Sequence, residues 1–186
     1  VINALDDLEH PCQIIADLLT ITEKKHKLKG LKLSYIGDGN NVCNSLMIGC
    51  ALTGINFVAG CPEGYMPDQD IVEESAKIAS ANGCSLTITT DPVEAATDAD
   101  VIYTDAWGSM GQEDQAKEKE KLFAPYQINA ALMSHAKKDC IFMHCLPAHR
   151  GLEVTEDVID GSQSVVFDEA ENRMHSIKAI MYATLE

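Results

Sequence analysis

Short apolar runs recur along this chain with a helical segment between most neighbours, and that rhythm limits the fold more than any other feature. Leu31 to Ile36, Ile55 to Ala59, Leu86 to Thr89, Val101 to Thr104, Ile141 to Met143 and Val165 to Phe167 have the length and content of buried strands. A helix is expected over Pro11 to His26, with Pro in its first turn, a stripe of Ile14, Ile15, Leu18, Leu19 and Thr22, and Gly30 ending the connection. Further helices are expected over Val42 to Leu52, Gln69 to Ala81, Pro92 to Ala96 behind an Asp91 cap, and near Gln127 to Ala136. Asp168 should cap a last helix that buries Ala170, Met174, Ile177 and Met181 along one face. Strands alternating with helices at this spacing imply an α/β fold, a Rossmann-like three-layer sandwich with a central parallel sheet flanked by helices. In such a sheet the strand-to-helix loops open on one edge, so Gly37–Asn41, Cys61–Gly64, Asp105–Gly111 and His144–His149 should share a rim.

Composition removes several classes of partner. The 186 residues suffice for one domain with its own core, and the formal charge of −15 leaves only Arg150 and Arg173 as arginines. A chain of that balance has no basic face for nucleic acid or for an anionic membrane. No apolar run approaches the roughly 20 residues of a membrane span. Seven cysteines without a C-x-x-C pair, and no leading signal segment, point to free thiols in a reducing cytosol, so a cytoplasmic location is expected. The opening Val1-Ile-Asn-Ala has no initiator Met, which raises the expectation of a piece of a longer chain.

Chemistry concentrates at a few loops. Cys140-Ile-Phe-Met-His-Cys-Leu-Pro147 reads as a strand running into a proton carrier, His144, and a soft nucleophile or base, Cys145. Pro147 ends the strand and should hold Leu146 extended. A buried structural cysteine is the plain alternative for Cys145. Cys140, His144, Cys145 and His149 offer zinc-type ligands, but neighbours on a strand point to opposite faces, and no metal is expected. Gly37-Asp-Gly-Asn-Asn41 begins like a dinucleotide turn, yet Val42 stands where the third glycine belongs. The loop then reads as a plain turn, a carboxylate site on helix N–H groups and the Asn41 amide, or a nucleotide site. Asp105, at a strand end, can pair with a substrate ammonium, and Gly108 and Gly111 bound a loop able to close; a capping Asp on a surface loop is the alternative. His10-Pro-Cys-Gln13 sets an imidazole and an amide at a helix mouth. Arg173 can reach an anionic ligand or pair with Glu169 four residues earlier.

Taken in order, His10-Pro-Cys-Gln13, Gly37-Asp-Gly-Asn-Asn41, Asp105 with Ser109-Met-Gly111, His144-Cys-Leu-Pro147 and Phe167-Asp-Glu-Ala-Glu-Asn-Arg173 resemble the C-terminal half of the ornithine carbamoyltransferases. The resemblance spans essentially the whole chain, and the S-M-G loop with H-C-L-P is particular to the ornithine branch. It implies an ornithine-binding domain over residues 1–186, with the N-terminal carbamoyl-phosphate domain absent from this chain. It also implies transfer of a carbamoyl group from carbamoyl phosphate to the side-chain amine of L-ornithine, giving citrulline and phosphate, in arginine biosynthesis, the urea cycle or arginine catabolism. By resemblance Asn41, Asp105, Ser109 and Met110 bind ornithine. His10, Pro11, Cys12, Gln13, Cys145, Leu146 and Arg173 meet carbamoyl phosphate, and Asp105 and Cys145 are catalytic. No cofactor is implied, and the full-length enzymes of the family are homotrimers. The family's phosphate-gripping S-T-R-T loop is missing, so the chain alone should be inactive. Rival readings are a carbamoyltransferase for putrescine, acetylornithine or aspartate, a nucleotide-binding oxidoreductase domain, and a ligand-binding module without catalysis.

Overall fold

The computed structural model describes residues 1–107 and 119–185. Its centre is a five-stranded sheet, wholly parallel, in the order β3-β2-β1-β4-β5. The strands are β1 (Lys32–Ile36), β2 (Asn56–Gly60), β3 (Leu86–Thr89), β4 (Val101–Thr104) and β5 (Ile141–His144). Helices among the described residues include α1 (Pro11–Lys25), α2 (Asn41–Thr53), α3 (Gln69–Asn82), α4 (Pro92–Ala96), α5 (Ala130–Met133), α6 (Glu156–Ile159) and α7 (Val166–Thr184). No described helix is long and apolar enough to cross a membrane.

Alternation along each strand divides the interior into two cores. Leu33, Tyr35, Phe57, Ala59, Val101, Tyr103, Ile141 and Met143 face α1, α2 and α3. Ile36, Val58, Ile102 and Phe142 face the other way, onto Ala95, Ala96, Leu132, Val158 and Ile159. With both faces covered, nearly every strand position must be apolar, which is why the runs read as continuous rather than alternating.

Local chemistry sets the helix ends. Asn40 caps α2 by accepting from the N–H groups of Val42 and Cys43, Asp68 caps α3, and Asp91 caps α4 just ahead of Pro92. Gly54 and Gly83 close α2 and α3 in the left-handed conformation. The chain returns from β3 to β4 on the far side of β1, so the β1 and β4 carboxyl ends lie side by side with helices departing in opposite directions. Ligands of open α/β sheets sit in the crevice at such a point.

Four sequence expectations need correction. Val165 to Phe167 is not a strand: Ser164 makes a single bridge to Phe142, Val165 ends the connection, and α7 begins at Val166. Val165 and Val166 enter different cores while Phe167 is 71% exposed, a pattern that strand alternation does not produce. Asp168 therefore lies in the first turn rather than at the cap, where it faces Lys24 Nζ at 2.7 Å. The stripe of Ala170, Met174 and Met181 is the outer face, with Met174 62% and Met181 51% exposed; the side facing inward carries Glu169, Asn172 and Ser176. The expected helix over Gln127 to Ala136 shrinks to the single turn of α5, because Ile128 bridges Val154 and Asn129 takes the cap position.

Core and surface should respond differently to truncation. Leu33→Ala, at a wholly buried β1 position, should cost ~2–5 kcal/mol in urea denaturation. Met181→Ala on the outer face of α7 should cost less than ~0.5 kcal/mol in the same assay.

Candidate active site

Asp105 follows β4 directly, and both of its carboxylate oxygens are engaged. Oδ2 accepts from Asn40 Nδ2 at 2.7 Å, while Oδ1 accepts from the Ala106 N–H at 2.7 Å and from the Cys145 thiol at 3.0 Å. Three strand ends thus meet at one side chain: Asn40 from the β1 loop, Asp105 from β4 and Cys145 from β5. The Asn40 amide has a defined orientation, since its Oδ1 accepts from the α2 N–H groups and from Tyr35 Oη, leaving Nδ2 for Asp105. Asn40 was not among the residues singled out from sequence. Its neighbour Asn41, which was, opens α2 and donates Nδ2 to the Asp6 carbonyl at 2.8 Å.

Cys145 is a donor in this arrangement. Burial and then the Asp105 charge push its thiol well above the ordinary 9.0. At neutral pH it carries its proton and hands it to Asp105 in a hydrogen bond; the role of base drawn from sequence is not supported. Leu146 also departs from expectation. It is left-handed, with φ 56°, before a cis Leu146–Pro147 bond, and its N–H donates to His144 Nδ1 at 2.9 Å.

His144 is structural. With Nδ1 accepting from Leu146, its proton sits on Nε2 and points at Glu153 Oε1, 3.2 Å away in a fully buried pair. Among the described residues Asp105, His144 and Cys145 bring one donor atom each within 4.8 Å of one another. Both His144 nitrogens are committed and the thiol keeps its proton, so the hydrogen bonds already account for that closeness.

The α1 mouth lies beside this edge. His10 is nearly buried; its N–H donates to Ser45 Oγ and its Nδ1 lies 2.9 Å from the Ala4 carbonyl. Burial first and Arg173 second lower its pKa, so the ring is neutral with its proton on Nδ1, and Nε2 carries a lone pair. His10 then accepts rather than donates at Nε2. Pro11 opens α1, Cys12 is buried with its thiol 3.4 Å from the Asn3 carbonyl, and Gln13 is fully buried. Arg173, on α7, is near enough to His10 and Asp17 to affect the titration of both. Glu169 turns inward to Tyr103, Gln13 and the His144 N–H instead of serving as the Arg173 partner. Arg150 belongs elsewhere, in a two-bond pair with Asp160. Ser109, Met110, Gly108 and Gly111 lie outside the described residues.

The second loop glycine has a use that competes with a nucleotide site. A Cβ on Gly39 would fall 2.3 Å from the Pro67 nitrogen, and the Gly39 N–H bonds to Tyr65 O. Gly39 therefore admits the chain's own β2 loop rather than a pyrophosphate.

A pair of acids lies beneath the site. Burial raises Asp17 from 3.8 to about 7. Because the folded protein holds that proton more tightly, the stabilisation is complete below the unfolded value near 3.8 and disappears as pH rises through about 7. Asp17→Asn cannot titrate. Its stability relative to wild type should improve steadily from pH 4 to pH 7 in urea denaturation; parallel curves would contradict the burial argument.

Comparison with known proteins bears on the family and the fold. A family model described as aspartate/ornithine carbamoyltransferase, Asp/Orn binding domain, matches residues 29–184. An ornithine carbamoyltransferase of Thermoplasma volcanium, described as catabolic, is 60% identical over 185 residues, covering all of this chain and 61% of the relative. A counterpart in Methanocaldococcus jannaschii is 58% identical over 97% of the chain and 59% of its own length. The solved ornithine carbamoyltransferase of Pyrococcus furiosus superimposes with a TM-score of 0.93 at 54% identity, covering 96% of this chain and 57% of that one. The chain thus spans less than two thirds of the length of these relatives. On the family match and these identities together, the chain belongs to the aspartate/ornithine carbamoyltransferase family.

Proposed function

We propose that this chain is the amino-acid-binding half of an ornithine carbamoyltransferase, over residues 1–186, working with an N-terminal carbamoyl-phosphate domain. The observation that carries the reading is the meeting of Asn40, Asp105 and Cys145 at the crevice between β1 and β4, with His10 and Arg173 alongside. The reaction joins the side-chain nitrogen of L-ornithine to the carbamoyl carbon, breaks that carbon's bond to the phosphate oxygen, and passes an amine proton to the departing phosphate.

Each residue then has a physical task. Asp105, held by Asn40 and the Cys145 thiol, pairs with ornithine's α-ammonium, and Asn41, Ser109 and Met110 complete the amino-acid site. Fixing the α end of the substrate fixes the far amine in turn, converting binding into orientation. The His10 Nε2 lone pair accepts an N–H of the carbamoyl group, Gln13 lies beside it, and Arg173 meets the oxygens of carbamoyl phosphate. Cys145 and Leu146 line the reacting centre from the β5 side. Among the described residues Cys145 keeps its proton and Asp105 is engaged by three donors, so the amine must enter neutral or lose its proton to phosphate.

Charge explains why a second domain is needed. Of the two arginines, Arg150 is committed to Asp160, and Arg173 alone is a thin grip for a dianion. The outer face of α7 is suited to receive that domain: Phe167 is 71%, Tyr182 71% and Leu185 83% exposed, beside Met174 and Met181. Homotrimer formation belongs to the same proposal. A cytoplasmic location fits seven free cysteines.

The test is a citrulline assay on the complete polypeptide and on this chain alone. The complete form should turn over L-ornithine in preference to putrescine, acetylornithine or aspartate; substantial turnover by the isolated chain would contradict the split site. Asp105→Asn strands an ammonium without its counter-charge, a loss of ~3–4 kcal/mol, and should lower kcat/KM for ornithine roughly 10²- to 10³-fold.

A further inference from the structure

The steps above leave one polar cluster without a task. Asp17 on α1 and Glu169 on α7 are both 0% exposed, next to Gln13 at 0% and directly below the Cys145 end of β5. Gln13 Nε2 donates to Asp17 Oδ1 at 2.8 Å and to Glu169 Oε1 at 3.2 Å. Tyr103 Oη donates to the same Glu169 oxygen at 3.0 Å, and the His144 N–H donates to the other at 3.0 Å. Two atoms of the cluster, Gln13 Oε1 and Asp17 Oδ2, have no hydrogen-bond partner among the described residues. Arg173, also on α7, is the cation acting on Asp17, and Asp17 and Glu169 both act on the Cys145 thiol.

The hydrogen bonds are shared unevenly between the two acids. Two buried carboxylates this close hold one proton between them. Three donors converge on Glu169 and one on Asp17, so Glu169 is the more heavily bonded acceptor of the pair. Both Gln13 amide hydrogens are then drawn towards carboxyl oxygens, and turning the amide over would set its oxygen against them. Gln13 Oε1 is thereby held away from the acid pair with a lone pair to offer.

We propose that Asp17 and Glu169 are positioning residues for the transfer reaction: they fix the Gln13 carboxamide with Oε1 ready to accept an N–H of the carbamoyl group, and Glu169 ties that amide to the His144–Cys145 strand end. The inference rests on the carbamoyltransferase reading and adds to it two acids that do not themselves touch substrate. A clamp serving stability alone would need neither the orientation of Gln13 nor the link to β5.

Two isosteric variants separate these roles in the complete polypeptide. Asp17→Asn keeps a side-chain oxygen to accept from Gln13, so it should lower kcat/KM by a smaller factor than Glu169→Gln does. Glu169→Gln must aim an NH2 group at donors, either Gln13 and Tyr103 or the His144 N–H. It should raise KM for carbamoyl phosphate tenfold or more while KM for ornithine stays within about twofold. Should Glu169→Gln not accumulate as folded protein, Tyr103→Phe removes one donor to Glu169 and should raise the same KM about threefold. Equal impairment of Asp17→Asn and Glu169→Gln would overturn the proposal. So would a lowered Tm with KM and kcat unchanged in Glu169→Gln or, where that variant does not fold, an unchanged KM in Tyr103→Phe. A wild-type polypeptide that makes no citrulline would instead bring down the underlying reading, and this inference with it.

Discussion

The adjacency of β1 and β4 is the constraint on which the rest depends. Parallel strands in the order β3-β2-β1-β4-β5 place the carboxyl ends of the central strands together, and helices leave them in opposite directions. Into that crevice the chain delivers Asn40, Asp105 and, from the next strand, Cys145. A shift of one residue in the pairing of Leu33 with Val101 would turn the slipped strand's side chains to the wrong core. The β4–β5 register, with Thr104 opposite His144, sets the carboxylate 3.0 Å from the thiol. The site is a consequence of how the sheet is filled.

Much of this was legible in sequence because local chemistry and global fold agree. Leu86–Thr89, Pro92–Ala96 and Val101–Thr104 fall where apolar content, the Asp91 cap and the first-turn proline place them. The misreadings share a cause, since in each a tertiary partner overrides local pattern. Val165, Val166 and Phe167 look like a strand by composition, but β5 needs only one bridge from Ser164, and the next residues are free to wind into α7. Ala170, Met174 and Met181 have helical spacing, and nothing in a period says whether that face meets the core. Here the inward face is polar because it must reach Gln13, Thr20 and Tyr103.

The candidate site shows the same division. Asp105 and Cys145 could be chosen from position at strand ends, and the structure brings them together. Asn40 was overlooked in favour of Asn41, although a residue ahead of a helix is the usual cap and one amide can serve a cap and a carboxylate together. Glu169 was weighed only as a neighbour of Arg173. Its contacts lie 156 residues away at Gln13 and 66 away at Tyr103, and no local signal encodes such distances. The site has two layers, one of Asn40, Asp105 and Cys145 joined at the crevice and a buried one of Gln13, Asp17, Glu169 and Tyr103 behind the β5 end. Sequence pattern reveals the first more readily, because crevice residues sit at strand ends and helix mouths.

The most direct measurement is the pH profile of Cys145 alkylation by iodoacetamide, followed by mass spectrometry at that residue in wild type and in Asp105→Asn. Convergence of the two strand ends predicts a thiol that stays protonated beyond pH 9.0 in wild type and a midpoint that drops when the Asp105 charge is removed. A wild-type midpoint near the free-thiol value of about 8.5, unmoved by Asp105→Asn, would mean that thiol and carboxylate do not share this edge of the sheet.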